Sequence, residues 1–414
     1  MWAAIALIMA TTTVVTGCSS DSDNDNNVYL LDTVELPTLE LTGEEQKLVD
    51  DNNEFAFSLF RTAQDGKKSQ ILSPISITYA LGMLNNGAAG ETQAQINNVL
   101  GFGNTGAQDI NAFCNKMLYF GPNLDSLTKV MIANNIYLNK GYELKPEFVR
   151  TANSYYGADV ETRDFHDGKT LDVINQWASD HTEQMIRKVL NEDSFNPDAV
   201  SYLLNAIYFK GSWTSKFNKA ETVKEVFTHA GDTEELTHAD MMHQMASFDY
   251  AEDEDYQALR LPYGNGSFLM TVLLPKKNTH SVPAVPTAEA WQNLNLRMMG
   301  TQVDVKLPCF ETDTDIDLKK IMIKLGMPDA FDGGKADFSN FCNVPVYIDL
   351  MKQVAKIKLD EEGTEAAAVT VVGVLNSVAT QPSIVSFHAN HPFLYIISEQ
   401  NTGAIFFIGQ YTGY

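Results

Sequence analysis

Apolar residues recur along this chain with two different periods, and the switches between them mark out its elements. From Glu44 to Gln64 the positions Leu48, Val49, Phe55, Leu59 and Phe60 fall at helical spacing, and Asp65-Gly66 closes the segment. Pro146–Tyr156 and Leu318–Leu325 read as further helices. Ala133–Leu138, Leu259–Tyr263, Phe268–Pro275 and Val303–Phe310 read as strands, and Ala158-Asp159-Val160 opens another. Ser73-Pro74 meets the rule for a helix start, a hydroxyl cap followed by proline. The chain closes with two apolar strands between His388 and Gly409, joined at Asn401-Thr402-Gly403.

One stretch fits two patterns at once. From Thr364, alternate positions are Thr364, Ala366, Ala368, Thr370, Val372 and Val374, all small or β-branched and uncharged. The complementary set is Glu365, Ala367, Val369, Val371, Gly373 and Leu375, with a single charge. Strand side chains alternate faces, so the first set suits the buried side of a sheet. Yet Asp360-Glu361-Glu362-Gly363 precedes the run, and Asn376, Ser377, Thr380, Gln381 and Pro382 follow it, the residues of an exposed loop. Periodicity alone leaves both an ordinary strand and a loop open.

Composition narrows the chemistry. At 414 residues, 44% hydrophobic and 20% charged, the chain suits a soluble globular protein of one large or several small domains. A net charge of −24 argues against nucleic-acid binding. No G-x-S-x-G, H-E-x-x-H or P-loop motif points to an enzyme. His238 and His243 lie five apart and read as ordinary packing, so neither a metal nor another cofactor is expected. The cysteines Cys18, Cys114, Cys309 and Cys342 show no metal or redox spacing. Buried free thiols are expected for the last three, with a pair among them left open.

The N-terminus carries an address. Trp2–Val15 is apolar and the length of a signal-peptide core, although Met1–Ala10 has no Lys or Arg. It ends in V-T-G-C, which resembles a bacterial lipobox with Cys18 as the lipidated residue; a plain secretory signal cut elsewhere is the alternative. Ser19–Asn27 is polar and acidic, cannot form a core and reads as a flexible tether. It is similar to the acidic tag of Bacteroidetes surface lipoproteins. The expected division is a lipoprotein signal peptide at 1–17, a tether at 18–41 and a folded domain at 42–414. The expected location is a lipid anchor in the bacterial outer membrane, facing outward, with the periplasm or secretion as alternatives.

The run E-E-G-T-E-A-A-A-V-T, Glu361–Thr370, resembles the reactive-loop hinge of an inhibitory serpin. Four further blocks carry the same resemblance: Ile71–Thr92; Tyr202–Phe217 with N-A-x-Y-F-K-G-x-W; G-M-P-D-A-F with A-D-F-S at 326–339; and His388–Gly409. Asn175-Gln176-Trp177 is similar to the start of the helix that crosses the main sheet. The resemblance implies an α+β fold of about nine helices around a large five-stranded sheet A with sheets B and C. It implies an exposed loop at about 361–387 and a monomer.

It also implies site residues. Glu361, Glu362, Gly363, Thr364, Glu365, Ala366, Ala367 and Ala368 form the hinge. Ser73, Ser76, Asn205 and Gln353 belong to the network beneath the opening sheet, and Trp213 sits where insertion begins. Gln353 stands where many serpins have a histidine; it can donate and accept but cannot be protonated. The scissile bond falls at Ser377–Val378 by hinge spacing, at Val378–Ala379 by counting from the C-terminal block, or at Leu375–Asn376. No Lys or Arg lies between Gly363 and Pro392, which disfavours a trypsin-like pocket. The implied partner is an elastase-like, subtilisin-like or papain-like protease, trapped as an acyl-enzyme. The alternative is a non-inhibitory serpin-fold binding protein at the surface.

Overall fold

A computed structural model of the chain describes residues 38–231, 236–364 and 384–414. Its eight α-helices are α1 (Gly43–Ala63), α2 (Pro74–Asn85), α3 (Gly90–Val99), α4 (Ala107–Phe120), α5 (Pro146–Tyr156), α6 (Thr170–His181), α7 (Ala288–Leu296) and α8 (Lys319–Leu325). Helix α1 starts at a capping box, in which Thr42 and Glu45 satisfy each other's backbone amides. Every residue of α2 is buried, so it is a core helix rather than an amphipathic surface one.

The first sheet holds β10 (Phe310–Asp317), β11 (Leu350–Leu359), β4 (Ser201–Ser212), β2 (Thr128–Asn139) and β3 (Asp159–Arg163), in that order. These are the five strands expected. A two-residue strand, β12 (Gly363–Thr364), adds to the end of β4. The second sheet runs β1 (Gln70–Leu72), β15 (Ile405–Tyr411), β14 (Phe393–Glu399), β8 (Phe268–Pro275), β7 (Tyr256–Tyr263), β6 (Leu236–Glu252), β9 (Met299–Pro308) and β13 (Val385–His388), with β5 (Val223–Thr228) also on β6. Separate sheets B and C were expected; the two are hydrogen-bonded into one. Strand β6 is the reason, since its 17 residues pair with β5 and β9 and, at its far end, with β7.

Val303–Phe310 is not one strand. The chain leaves the second sheet at Pro308 and joins the first at Phe310, with Cys309 between. The Cys309 amide still donates to the Asp240 carbonyl of β6 at 2.8 Å, so the change of sheet falls immediately after it. The main core lies between the two sheets and around α2. A smaller core, including Tyr137, Trp177, Tyr202, Leu204, Ala206 and Val354, joins α6 to the other side of the first sheet.

Candidate functional site

The polar network grows from one row of the first sheet. Gln353 on β11, Asn205 on β4 and Asn134 on β2 are register partners, so their side chains line up across three strands. All three are buried, as are Ser73 and Ser76 at the start of α2. The Gln353 amide nitrogen is 2.6 Å from Asn205 Oδ1, 3.0 Å from Ser76 Oγ and 3.0 Å from the Ser73 carbonyl. Its Oε1 accepts the Ser73 amide hydrogen at 3.0 Å. Ser76 Oγ donates to Asn205 Oδ1 at 2.8 Å, and Asn205 Nδ2 donates to Asn134 Oδ1 at 2.8 Å. Ser73 Oγ donates to the Phe406 carbonyl at 2.7 Å. These bonds satisfy the α2 start that its own backbone leaves open, and they tie β11 to β4 through side chains.

Trp213 takes no part in that network. It lies eight residues further along the chain, about 26 Å away in extended structure. There it receives Asp360 and Glu362. Its indole Nε1 donates to the Asp360 carbonyl at 3.0 Å, and its amide donates to the Glu362 carbonyl at 3.0 Å. The ring stacks on Tyr263 at 4.4 Å between centroids. The Phe217 amide bonds the Glu361 carbonyl, and the Glu361 carboxylate accepts from Thr222 Oγ1 at 2.7 Å. Lys216 lies 2.7 Å from Glu362, and its ammonium holds that carboxyl below the usual range.

Gly363 and Thr364 pair with Ser212 and Gly211 of β4. Gly363 has φ 137°, and a Cβ there would lie 2.2 Å from the Gly211 carbonyl oxygen, so only glycine fits. Thr364 is fully buried, with its hydroxyl 2.9 Å from Tyr263 OH. Burial pushes the Tyr263 phenol far above its ordinary pKa, so it stays neutral. Just below this point, β11 and β4 pair directly over seven residues, Leu350–Lys356 with Tyr202–Tyr208. The seam between them is closed there.

The remaining predicted positions, namely Cys18, Glu365, Ala366, Ala367, Ala368, Leu375, Asn376, Ser377, Val378 and Ala379, lie outside the described residues. Cys114, Cys309 and Cys342 are free, but only Cys114 and Cys342 are buried. Part-buried Cys309 lies below the hinge, and burial together with Glu361 and Asp360 pushes its thiol up to about 12. Sequence reasoning missed Asn134, Tyr263 and Lys216. Asn134 sat within a strand already read as such; its role follows only from register.

The family profile "Serpin (serine protease inhibitor)" matches residues 50–413. The chain is a serpin. It is 33% identical to human Serpin B3 over 386 residues, 87% of this chain and 98% of that one. It is 31% identical to Iripin-2 of Ixodes ricinus, over 89% of this chain and 94% of the relative. An uncharacterized serpin-like protein of Methanosarcina acetivorans shares 30% identity, over 98% of this chain and 95% of its own. Among solved structures, the thermophilic serpin tengpin in its native state superposes with a TM-score of 0.81 at 28% identity, over 91% of this chain and 96% of its own. Serpins are generally inhibitors that form complexes with target proteases, not enzymes.

Proposed function

We propose that this serpin is a suicide-substrate inhibitor of elastase-like or subtilisin-like serine proteases, and of papain-like cysteine proteases through Leu375. The observation that carries this reading is the hinge. Gly363 and Thr364 already lie as a strand on β4, directly above a seam with no strand in it. The protease nucleophile attacks the scissile carbonyl, at Ser377–Val378, Val378–Ala379 or Leu375–Asn376. The new amino terminus leaves, and the bait half stays ester- or thioester-linked to the enzyme. Cutting frees that half to continue β12 down the seam.

Around a dozen strand hydrogen bonds contribute about 0.5–1.5 kcal/mol each. Burial of Val372 and Val374 adds about 1.5–3 kcal/mol apiece. The uncut protein is therefore held by a barrier rather than at its minimum, in keeping with the stored strain that serpins release on loop insertion. Glu365, Ala366, Ala367 and Ala368 complete the hinge, and none of the inward set carries a charge. We further read residues 1–17 as a signal peptide and 18–41 as a tether lipidated at Cys18. Residues 42–414 are then a monomeric inhibitor on the outer surface of a bacterial outer membrane.

The test is a gel. Protein beginning after Cys18 is mixed with elastase, subtilisin and trypsin, boiled and run under denaturing conditions. A resistant band at the summed mass with elastase or subtilisin supports the reading, and the released fragment's N-terminus identifies the bond. Cleavage without complex by every protease overturns it in favour of a non-inhibitory surface binding protein.

A further inference from the structure

The outer edge of the first sheet is β10, which pairs with β11 on one side and, among the described residues, with no strand on the other. A cavity of about 620 Å³ runs along it, lined by residues 311–316 and, across the gap, by Asp65, residues 68–70 and Tyr414. Consecutive residues of the strand all line it, so the cavity follows the strand's edge rather than one face. At about 3.3 Å per residue the lined stretch is about 20 Å long. An edge strand leaves alternate amides and carbonyls without a ladder partner.

The floor holds an unmet hydroxyl. Thr312 is 3% exposed, and its Oγ1 has no hydrogen-bond partner. The fully buried Tyr395 hydroxyl lies close to it but is not placed to bond it, and is unpartnered too. Buried hydroxyls are almost always bonded, and one left unmet is costly. Thr314, on the same face, already accepts the Ile71 amide hydrogen at its Oγ1, 2.8 Å away. Thr312 is therefore the hydroxyl left for an incoming group.

The other face of the strand is a row of charge. Glu311, Asp313, Asp315 and Asp317 alternate along it and are exposed. Lys356 pairs with Glu311 at 2.6 Å and Lys352 with Asp315 at 2.7 Å, both from β11. Asp313, between them, has no ion pair among the described residues. Charged side chains on an edge discourage pairing with like strands. This row has one sign in a chain of net charge −24, so it repels a second copy of the chain. It favours a strand whose side chains opposite it are cationic, because cross-strand neighbours of opposite charge attract.

We propose that the free edge of β10 docks an extended, basic segment of another protein as an added strand, with lysine or arginine opposite Asp313 and a small hydroxyl residue opposite Thr312. Loop insertion plays no part in it. The test uses protein beginning after Cys18 and end-blocked, dye-labelled peptides read by fluorescence anisotropy. K-S-K-S-K-S-K is expected to bind, and E-S-E-S-E-S-E is not. Alternate amides of a strand face the same neighbour, so N-methylating either the lysine or the serine amides of the first peptide should abolish binding in one case only. Asp313 is exposed, so Asp313→Lys should fold, and it is expected to weaken binding about fivefold to tenfold. Thr312→Val is expected to weaken it about twofold to fivefold and to leave binding of K-A-K-A-K-A-K unchanged. Amide exchange should slow in residues 311–316. No binding of the first peptide at millimolar concentration overturns the site, as does an unchanged affinity in Asp313→Lys. Equal effects of the two N-methylations overturn strand pairing. Protection of residues 350–356 instead places the peptide in the β4–β11 seam and overturns the site as well.

Discussion

Replacing Gln353 with alanine tests whether the seam is held shut by the side chains beneath it. The substitution removes a buried amide whose nitrogen lies within 3.0 Å of three acceptors and whose oxygen takes the Ser73 amide hydrogen. Asn205 Oδ1 keeps Ser76 as a donor, so its loss is partial. The Ser73 amide is left buried without a partner, at about 1–3 kcal/mol. The void left by the missing side-chain atoms adds about 1 kcal/mol. The expected loss for the uncut protein is about 2–4 kcal/mol, a fall in Tm of roughly 3–5 °C by calorimetry. In the loop-cleaved form a new strand would lie between β11 and β4, and the Gln353–Asn205 bond would already be broken. Its Tm should therefore fall by less, since the Asn205 share of the loss is already absent there. Equal losses in the two forms, or a loss under about 1 kcal/mol in the uncut one, would refute the claim that Gln353 closes the seam.

Gln353→His should create an acid sensitivity that the wild type lacks. The ring must accept from Ser73, so it is held neutral when folded; the unfolded state binds more protons below about pH 6.5, and stability falls as pH drops from there, readable by denaturant titration at pH 7.5 and 5.5. Gly363→Ala places a Cβ against the Gly211 carbonyl and should divert the reaction from complex to cleaved product, raising the inhibitor consumed per complex several-fold on a gel. Lys216→Ala removes the main cause of the depressed Glu362 pKa. That pair's contribution is present above the ordinary carboxylate pKa and lost as pH falls through the depressed one. Variant and wild type should therefore differ by under about 1 kcal/mol near neutrality and converge in acid. Ser377→Arg should redirect the inhibitor toward trypsin; if trypsin is still not captured while elastase is, the scissile bond lies elsewhere.

Most of the fold could be read from period and punctuation: α5 and β8 fall where the sequence puts them, and α1 starts within one residue. Readings failed where the answer depended on a partner far along the chain. V-D-V-K-L-P-C-F alternates without a break, yet Cys309 still bonds β6 and Phe310 already pairs with β11, so the change of sheet depends on partners far along the chain. His243, taken for packing, is bonded to a carboxylate 61 residues away. In A-N-N-I-Y-L both asparagines are buried, and register with Asn205 is what selects Asn134 for the network. The network members Ser73, Ser76, Asn205 and Gln353 were found by family resemblance, because buried polar groups brought together from three segments leave no local signature.

The direction of the strands at the seam adds a consequence of its own. β11 and β4 run parallel, whereas β12 meets β4 antiparallel. A strand that prolongs β12 between them is antiparallel to both neighbours. The sheet would thus exchange one slanted, slightly weaker ladder for two perpendicular, stronger ones. The gain is topological before it is chemical. It is available to any sequence that can lie flat in the gap, whatever side chains it carries on the exposed face.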